Sequence, residues 1–257
     1  MNRKLISVLG GGLLCVAALP WLGTSAVDAR PATAEPIVAA EPARRSAEGA
    51  KAARVAAKAD PFAHVADEAG VNPDVLNLAL KSVRCAVSSG DIDAPRTLTV
   101  IDYSRPSVEP RLWVFEFATG DMLFKELVAH GKNTGENMAR HFSDTMNSRQ
   151  SSIGLFVTDD TYIGSNGYSL RLDGLEPGFN GNARPRAIVM HGAPYVNTSI
   201  AASQGRIGRS WGCPALREAV ARQVIDTIRG GGVIFSYYPD EDWLKSSRFL
   251  NDCGAEA

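Results

Sequence analysis

The sequence predicts an α+β fold that is mainly β, a mixed β-sandwich or barrel core with flanking helices. Short apolar runs with strand periodicity fill the chain from Arg96 onward, and helical periodicity is confined to the neighbourhoods of residues 72–90 and 214–229. Strands and helices do not alternate regularly. A doubly wound parallel sheet needs that alternation, so the pattern favours strands that pair with one another and helices attached outside.

Each element has a local cause. Asn72 is a good N-cap and Pro73 suits the first helical position, after which Leu76, Ala79, Leu80, Val83 and Val87 repeat on one face as far as Gly90. From Arg96 the period shortens to that of strands. Thr97–Tyr103 is followed by Arg111–Ala118, where Trp113, Phe115 and Phe117 line one face, and Thr119-Gly120-Asp121 turns the chain into a return strand at Met122–His130. Further strands are expected at Gly154–Thr158, Tyr168–Leu172 and Arg186–His191. A second helix is predicted over Pro214–Arg229, with Leu216, Val220, Val224 and Ile228 on one face and three glycines ending it. Val233–Tyr238 supplies a closing strand.

Composition sets the class. With 45% hydrophobic and 21% charged residues the 257-residue chain can bury a substantial core, and a formal net charge of -1 without a basic stripe gives no reason to expect a polyanionic partner such as nucleic acid. Residues 1–29 read as a secretory signal, with Arg3 and Lys4 ahead of an apolar run to Gly23 and small residues after it. The alternative is an uncleaved N-terminal anchor; three consecutive glycines and Pro20 weaken a membrane helix. Residues 30–59, rich in Ala with Pro31, Pro36 and Pro42, are expected to be a disordered linker. Residues 60–95 then form a helical extension and residues 96–257 the main domain. The expected location is periplasmic or secreted, as a monomer with no stable membrane insertion once the signal is removed.

Loss of the signal removes Cys15 and leaves Cys85, Cys213 and Cys253, an odd number. In an oxidising compartment the economical pairing is Cys85 with Cys253, which leaves Cys213 free; three reduced thiols are the alternative. Cys213 directly precedes Pro214, so the predicted helix would put its thiol at the positive end of a helix dipole and lower its pKa. Gly212 permits a tight backbone whose amides, with that of Cys213, can face a carbonyl oxygen. His191 ends a strand-like run and is followed by Gly192, so it emerges at a sheet edge where it can pair with the thiol as imidazolium. Taken singly, each residue is more often structural, a buried cysteine capping a helix or a satisfied histidine. His130 and the Ser151-Ser152 pair lie beside predicted strand ends and are candidates for the same cleft.

The ordered combination is more specific than its parts. His191-Gly192, a spacer, Ser210-Trp211-Gly212-Cys213, the strand entry at Gln150–Phe156 and the late Gly231-Gly232-Val233-Ile234 together resemble the murein L,D-transpeptidase catalytic domain, over about Thr97 to Pro239. The resemblance implies a cysteine acyltransferase acting on peptidoglycan stem peptides. Cys213 would be the nucleophile, His191 the base and then acid, and Gly192 its backbone orienting partner. Gly212, Ser210, Trp211 and Arg209 would form the oxyanion and substrate-binding surroundings. No metal or other cofactor is implied. Two departures stand out: Trp211 replaces the family's second histidine, and Ala215 occupies a place where many members have Arg or Asn, leaving Arg206, Arg209 or Arg217 to hold a substrate carboxylate. Release of the acyl group to water, as in a carboxypeptidase or amidase, and an inactive wall-binding module are the alternatives.

Overall fold

In the computed structural model, which describes residues 61–253, strand periodicity of two is used on both faces of one sheet. Eight strands are joined in the order β3-β2-β1-β8-β4-β5-β6-β7. They span Thr97–Asp102 (β1), Leu112–Glu116 (β2), Met122–Glu126 (β3), Gly154–Gly164 (β4), Gly167–Gly174 (β5), Val189–Gly192 (β6), Ala215–Leu216 (β7) and Val233–Tyr237 (β8). The β1–β8 and β6–β7 pairs are parallel and the others antiparallel, so the sheet is mixed. The two ends of the order meet where the chain leaving β3 bridges β7 at Ala129–Ala215 and, further on, Gly131 bridges Ser210.

Alternation explains why so many strand residues are apolar on both sides. Leu98 and Val100 of β1, Trp113 and Phe115 of β2, Leu155 of β4 and Val233 and Phe235 of β8 enter one core. Their neighbours Ile101, Leu112, Val114, Phe156 and Ile234 enter the other. Both faces are therefore covered, by different helices. Helices α1 (Val65–Ala69) and α2 (Pro73–Ser88) belong to the first core, through Val75, Leu76, Ala79, Leu80 and Val83. Helix α4 (Glu218–Ile228) covers the second with Val224, Ile225 and Ile228, each worth roughly 1.5–3 kcal/mol when fully buried. Helix α3 (Thr198–Gln204) buries no residue, and α5 (Glu241–Ser246) and α6 (Arg248–Asn251) place Trp243, Phe249 and Leu250 in the first core. A disulfide joins Cys85 of α2 to Cys253, and Cys213 is a free thiol.

The α2 boundaries agree with the sequence reading, including the Asn72 cap, whose side chain accepts from the Asp74 amide at 2.9 Å. The second helix requires correction. It begins at Glu218 with Arg217 as its N-cap, and the residues expected to be its first turn form β7 instead. The reason is burial: Ala215 and Leu216 are fully inaccessible and pair with His191 and Gly192, and Leu216 joins the second core. A helix starting at Pro214 would forfeit those contacts. The expected strand Met122–His130 also ends early, at Glu126, because the following residues turn toward β7. The expected signal or anchor at 1–29 and the linker at 30–59 lie outside the described residues. Among the described residues no helix is long and apolar enough to cross a membrane.

Candidate active site

The site is built on a turn, residues 210–213, held from several directions. The Ser210 amide donates to His130 O at 2.9 Å, and Ser210 O accepts from the Lys132 amide at 2.7 Å. The Ser210 hydroxyl donates to Cys213 O at 2.6 Å and accepts from the Gly212 amide at 3.0 Å, which clips the turn shut. Ser151 braces it from outside, donating to Gly212 O at 3.0 Å while accepting from the Gly131 amide at 3.0 Å. Gly212 has φ of 128°, and a Cβ there would lie 2.7 Å from Gln150 O and 2.8 Å from Ile188 Cδ1. Only glycine fits. The Gly212 amide, offered by the sequence reading to a substrate oxygen, is thus turned inward to Ser210.

Cys213 leads through Pro214 into β7, and β7 lies beside β6 with His191 opposite Ala215. The Cys213 turn therefore runs into the strand beside the one that carries His191, and thiol and imidazole are both buried. Sγ donates to Ala187 O at 3.6 Å. The expected helix-dipole support is absent because α4 starts only at Glu218. Burial pushes the Cys213 thiol above its ordinary range, opposed in part by the Val189 amide and the Arg186 charge. Burial also lowers the His191 pKa, against a hydrogen bond from Nδ1 to Gly192 O at 2.9 Å. That bond makes Nδ1 the protonated nitrogen of the neutral ring and leaves Nε2 as the base. Both shifts favour the neutral forms, thiol and imidazole, over the thiolate and imidazolium expected from a helix start.

Beside the turn lies a cavity of about 400 Å³, lined by Asn133, Met146, Asn147, Arg149, Arg186, Ile188 and Trp211. Trp211 is 71% exposed, and the Arg149 guanidinium stacks on it with Cζ 4.7 Å from the ring centroid. Arg186 is buried and donates to Ser143 O (2.6 Å), Ser152 Oγ (2.6 Å), Ser148 Oγ (3.0 Å) and Gln150 O (2.7 Å), with Asp144 at 3.7 Å. It ties the segment 143–152 to β6.

Sequence reasoning missed both of these arginines. Its own candidates are occupied elsewhere. Arg206 and Arg209 pair with Glu136 at 2.9 and 2.7 Å, Arg209 also donates to Gly135 O, and Arg217 grips Glu126 through two bonds. Ser151 braces the turn, and Ser152 accepts from Arg186 and donates to Ser143 O. His130 takes its structural alternative: it is buried, its Nδ1 accepts from Arg111 at 2.7 Å and its Nε2 donates to Gly135 O at 3.2 Å. Among the described residues no three His, Cys, Asp or Glu side chains cluster as a metal site.

Fold and site together define a thiol-bearing domain built on a mixed, mainly β sheet with flanking helices. Its sequence assigns it further: the profile of the L,D-transpeptidase catalytic domain matches residues 67–237, more than half the chain, so the protein belongs to that family. Among solved structures it is similar to an L,D-transpeptidase from Mycobacterium smegmatis, with 16% identity, TM-score 0.36, and 56% of this chain and 59% of that one covered. It is similar to Mycobacterium tuberculosis L,D-transpeptidase 1, with 16% identity, TM-score 0.32 and 56% and 62% covered. The L,D-transpeptidase from Xylanimonas cellulosilytica gives 18% identity, TM-score 0.31 and 60% and 68% covered. The chain thus spans about three-fifths of the length of the first of these relatives. No curated protein matches it.

Proposed function

We propose that the protein is an exported cysteine acyltransferase that acts on peptidoglycan stem peptides through a thioester on Cys213. The observation that supports this reading is the pairing of β6 with β7, by which the strand carrying His191, whose Nε2 is uncommitted, runs beside the strand that follows Cys213, the one free thiol of the described residues. In the first half-reaction His191 Nε2 takes the Sγ proton as sulfur attacks the carbonyl of the stem's diamino acid. The resulting imidazolium returns that proton to the leaving amine of a terminal D-amino acid. The Gly192 carbonyl holds the ring in the tautomer this requires, and the Arg186 charge favours the developing thiolate. An amine of a second stem then resolves the thioester in crosslinking. Residues 1–29 would direct export and 30–59 tether the domain.

The test is intact-mass spectrometry after exposure to a carbapenem, a strained acyl donor suited to a nucleophilic thiol. One adduct is expected, mapped to Cys213 and missing from Cys213→Ala. A folded, reduced protein that forms no adduct overturns the reading. Muropeptide analysis then separates crosslinked products from trimmed ones, which identifies the acyl acceptor as amine or water.

A further inference from the structure

The cavity beside the Ser210–Cys213 turn carries a positive charge with no acidic partner. Of its two arginines, Arg186 is committed to four hydrogen bonds and faces Asp144. Arg149 is exposed, and among the described residues its side chain stacks on the Trp211 ring and makes no hydrogen bond or ion pair. No Asp or Glu lines the cavity. A guanidinium fixed on an indole face has lost part of its freedom and keeps all its N–H donors, the condition for gripping a planar anion.

We propose that this cavity is a carboxylate subsite, in which Arg149 on its Trp211 shelf receives a free carboxylate of the peptide substrate. The proposal rests on the acyl-transfer reading of Cys213 and deepens it by naming what orients the donor. A volume of about 400 Å³ suits a short peptide segment. Trp211, Ile188 and Met146 offer apolar wall to an aliphatic stem, and Asn147 offers an amide. The turn that carries the sulfur borders this space through Trp211, and two other lining residues, Arg186 and Ile188, flank Ala187, whose carbonyl accepts from Sγ.

The backbone supports the same assignment. Asn147, Arg149 and Ala187 are the non-glycine residues with positive φ among the described residues, at 59°, 57° and 53°; the first two line the cavity, and Ala187 lies between Arg186 and Ile188, which also line it. Left-handed backbone at a non-glycine residue is costly and gathers where a ligand must be met. A peptide anchored at Arg149 runs along Trp211 and brings its carbonyl to the thiol two residues further on.

The experiment uses the full chain with Cys213→Ala, so that no acylation intervenes, and measures binding of an acetylated peptide ending in D-alanine and of its C-terminal amide. The acid should bind about 5-fold tighter than the amide, as suits one exposed charge pair. That preference should vanish in Arg149→Gln, persist in Arg149→Lys, and shrink in Trp211→Leu, where the guanidinium loses its shelf. Equal binding of the two peptides, a preference that survives Arg149→Gln, or no measurable binding of either would overturn the proposal. Adduct formation at Cys213 is read separately in the unmutated protein, so loss of the subsite and loss of the thiol chemistry are distinguishable.

Discussion

Two buried histidines flank the Ser210–Cys213 turn, and they differ in what their ring nitrogens are doing. His130 lies beyond β3, holds the Ser210 amide with its carbonyl, and has both nitrogens engaged, one by the Arg111 guanidinium and one by Gly135 O. Protonation of Nδ1 would set N–H against N–H, so burial and the Arg111 charge lower its pKa to about 3. His191 is equally enclosed, but only Nδ1 is committed. Burial depresses both rings; only the one with a free nitrogen can carry a proton to and from a substrate. The comparison separates a histidine that holds the site from one proposed to work in it.

The sharpest way to break that distinction is to replace each ring in turn. His191→Gln should slow carbapenem acylation of Cys213 by roughly 10²–10⁴-fold, the usual worth of a general base, with the thermal transition little changed. His130→Gln, normalised to folded protein, should stay within about tenfold. Equal losses would show that both rings serve the chemistry.

A smaller effect concerns stability and pH. The unfolded chain protonates His130 near 6.5 and the folded chain only near 3. Between those values the unfolded state binds the extra proton, so stability falls as pH drops from 6.5 toward 3 and is insensitive to this group above 6.5. The loss should reach a few kcal/mol, about 1.4 kcal/mol per pKa unit. His130→Phe should flatten that slope in urea titrations run across the window, whereas His191→Gln should flatten it less. An unchanged slope in His130→Phe would mean that the ring is not held neutral.

The smallest expected effect lies in the turn between the two histidines. Ser210→Ala removes the donor to Cys213 O and orphans the Gly212 amide, at a cost of about 1–3 kcal/mol. Its signature should be a lower acylation rate at unchanged carbapenem concentration dependence, because the thiol is misplaced and the cavity is not. A Ser210→Ala protein with wild-type stability and rate would remove the clip from the account.

Much of this was legible from residue order. Asn72-Pro73 and the apolar repeat after it specified α2, and the alternation in Trp113, Phe115 and their neighbours specified strands, because both signals are local. The odd cysteine count pointed to the Cys85–Cys253 bridge. The start of α4 was misread because Leu216 fits an amphipathic helix as well as a buried strand, and pairing with β6 decided between them. Arg149 and Arg186 were missed for a related reason. The segments that carry them bend through left-handed Asn147, Arg149 and Ala187, residues that carry no glycine signal to mark a turn.

By itself the sequence determined the main strands and helices, the odd cysteine and the residue types on which the proposed acyl transfer rests, since hydrophobic period and cysteine parity are properties of the chain. Only the tertiary structure decided the charge state of the pair and the shape of its surroundings. Those depend on burial and on which distant segment covers the turn: burial lowers the His191 pKa and raises that of Cys213, and Arg149 meets Trp211 across 62 residues of chain only after the 143–152 segment is in place.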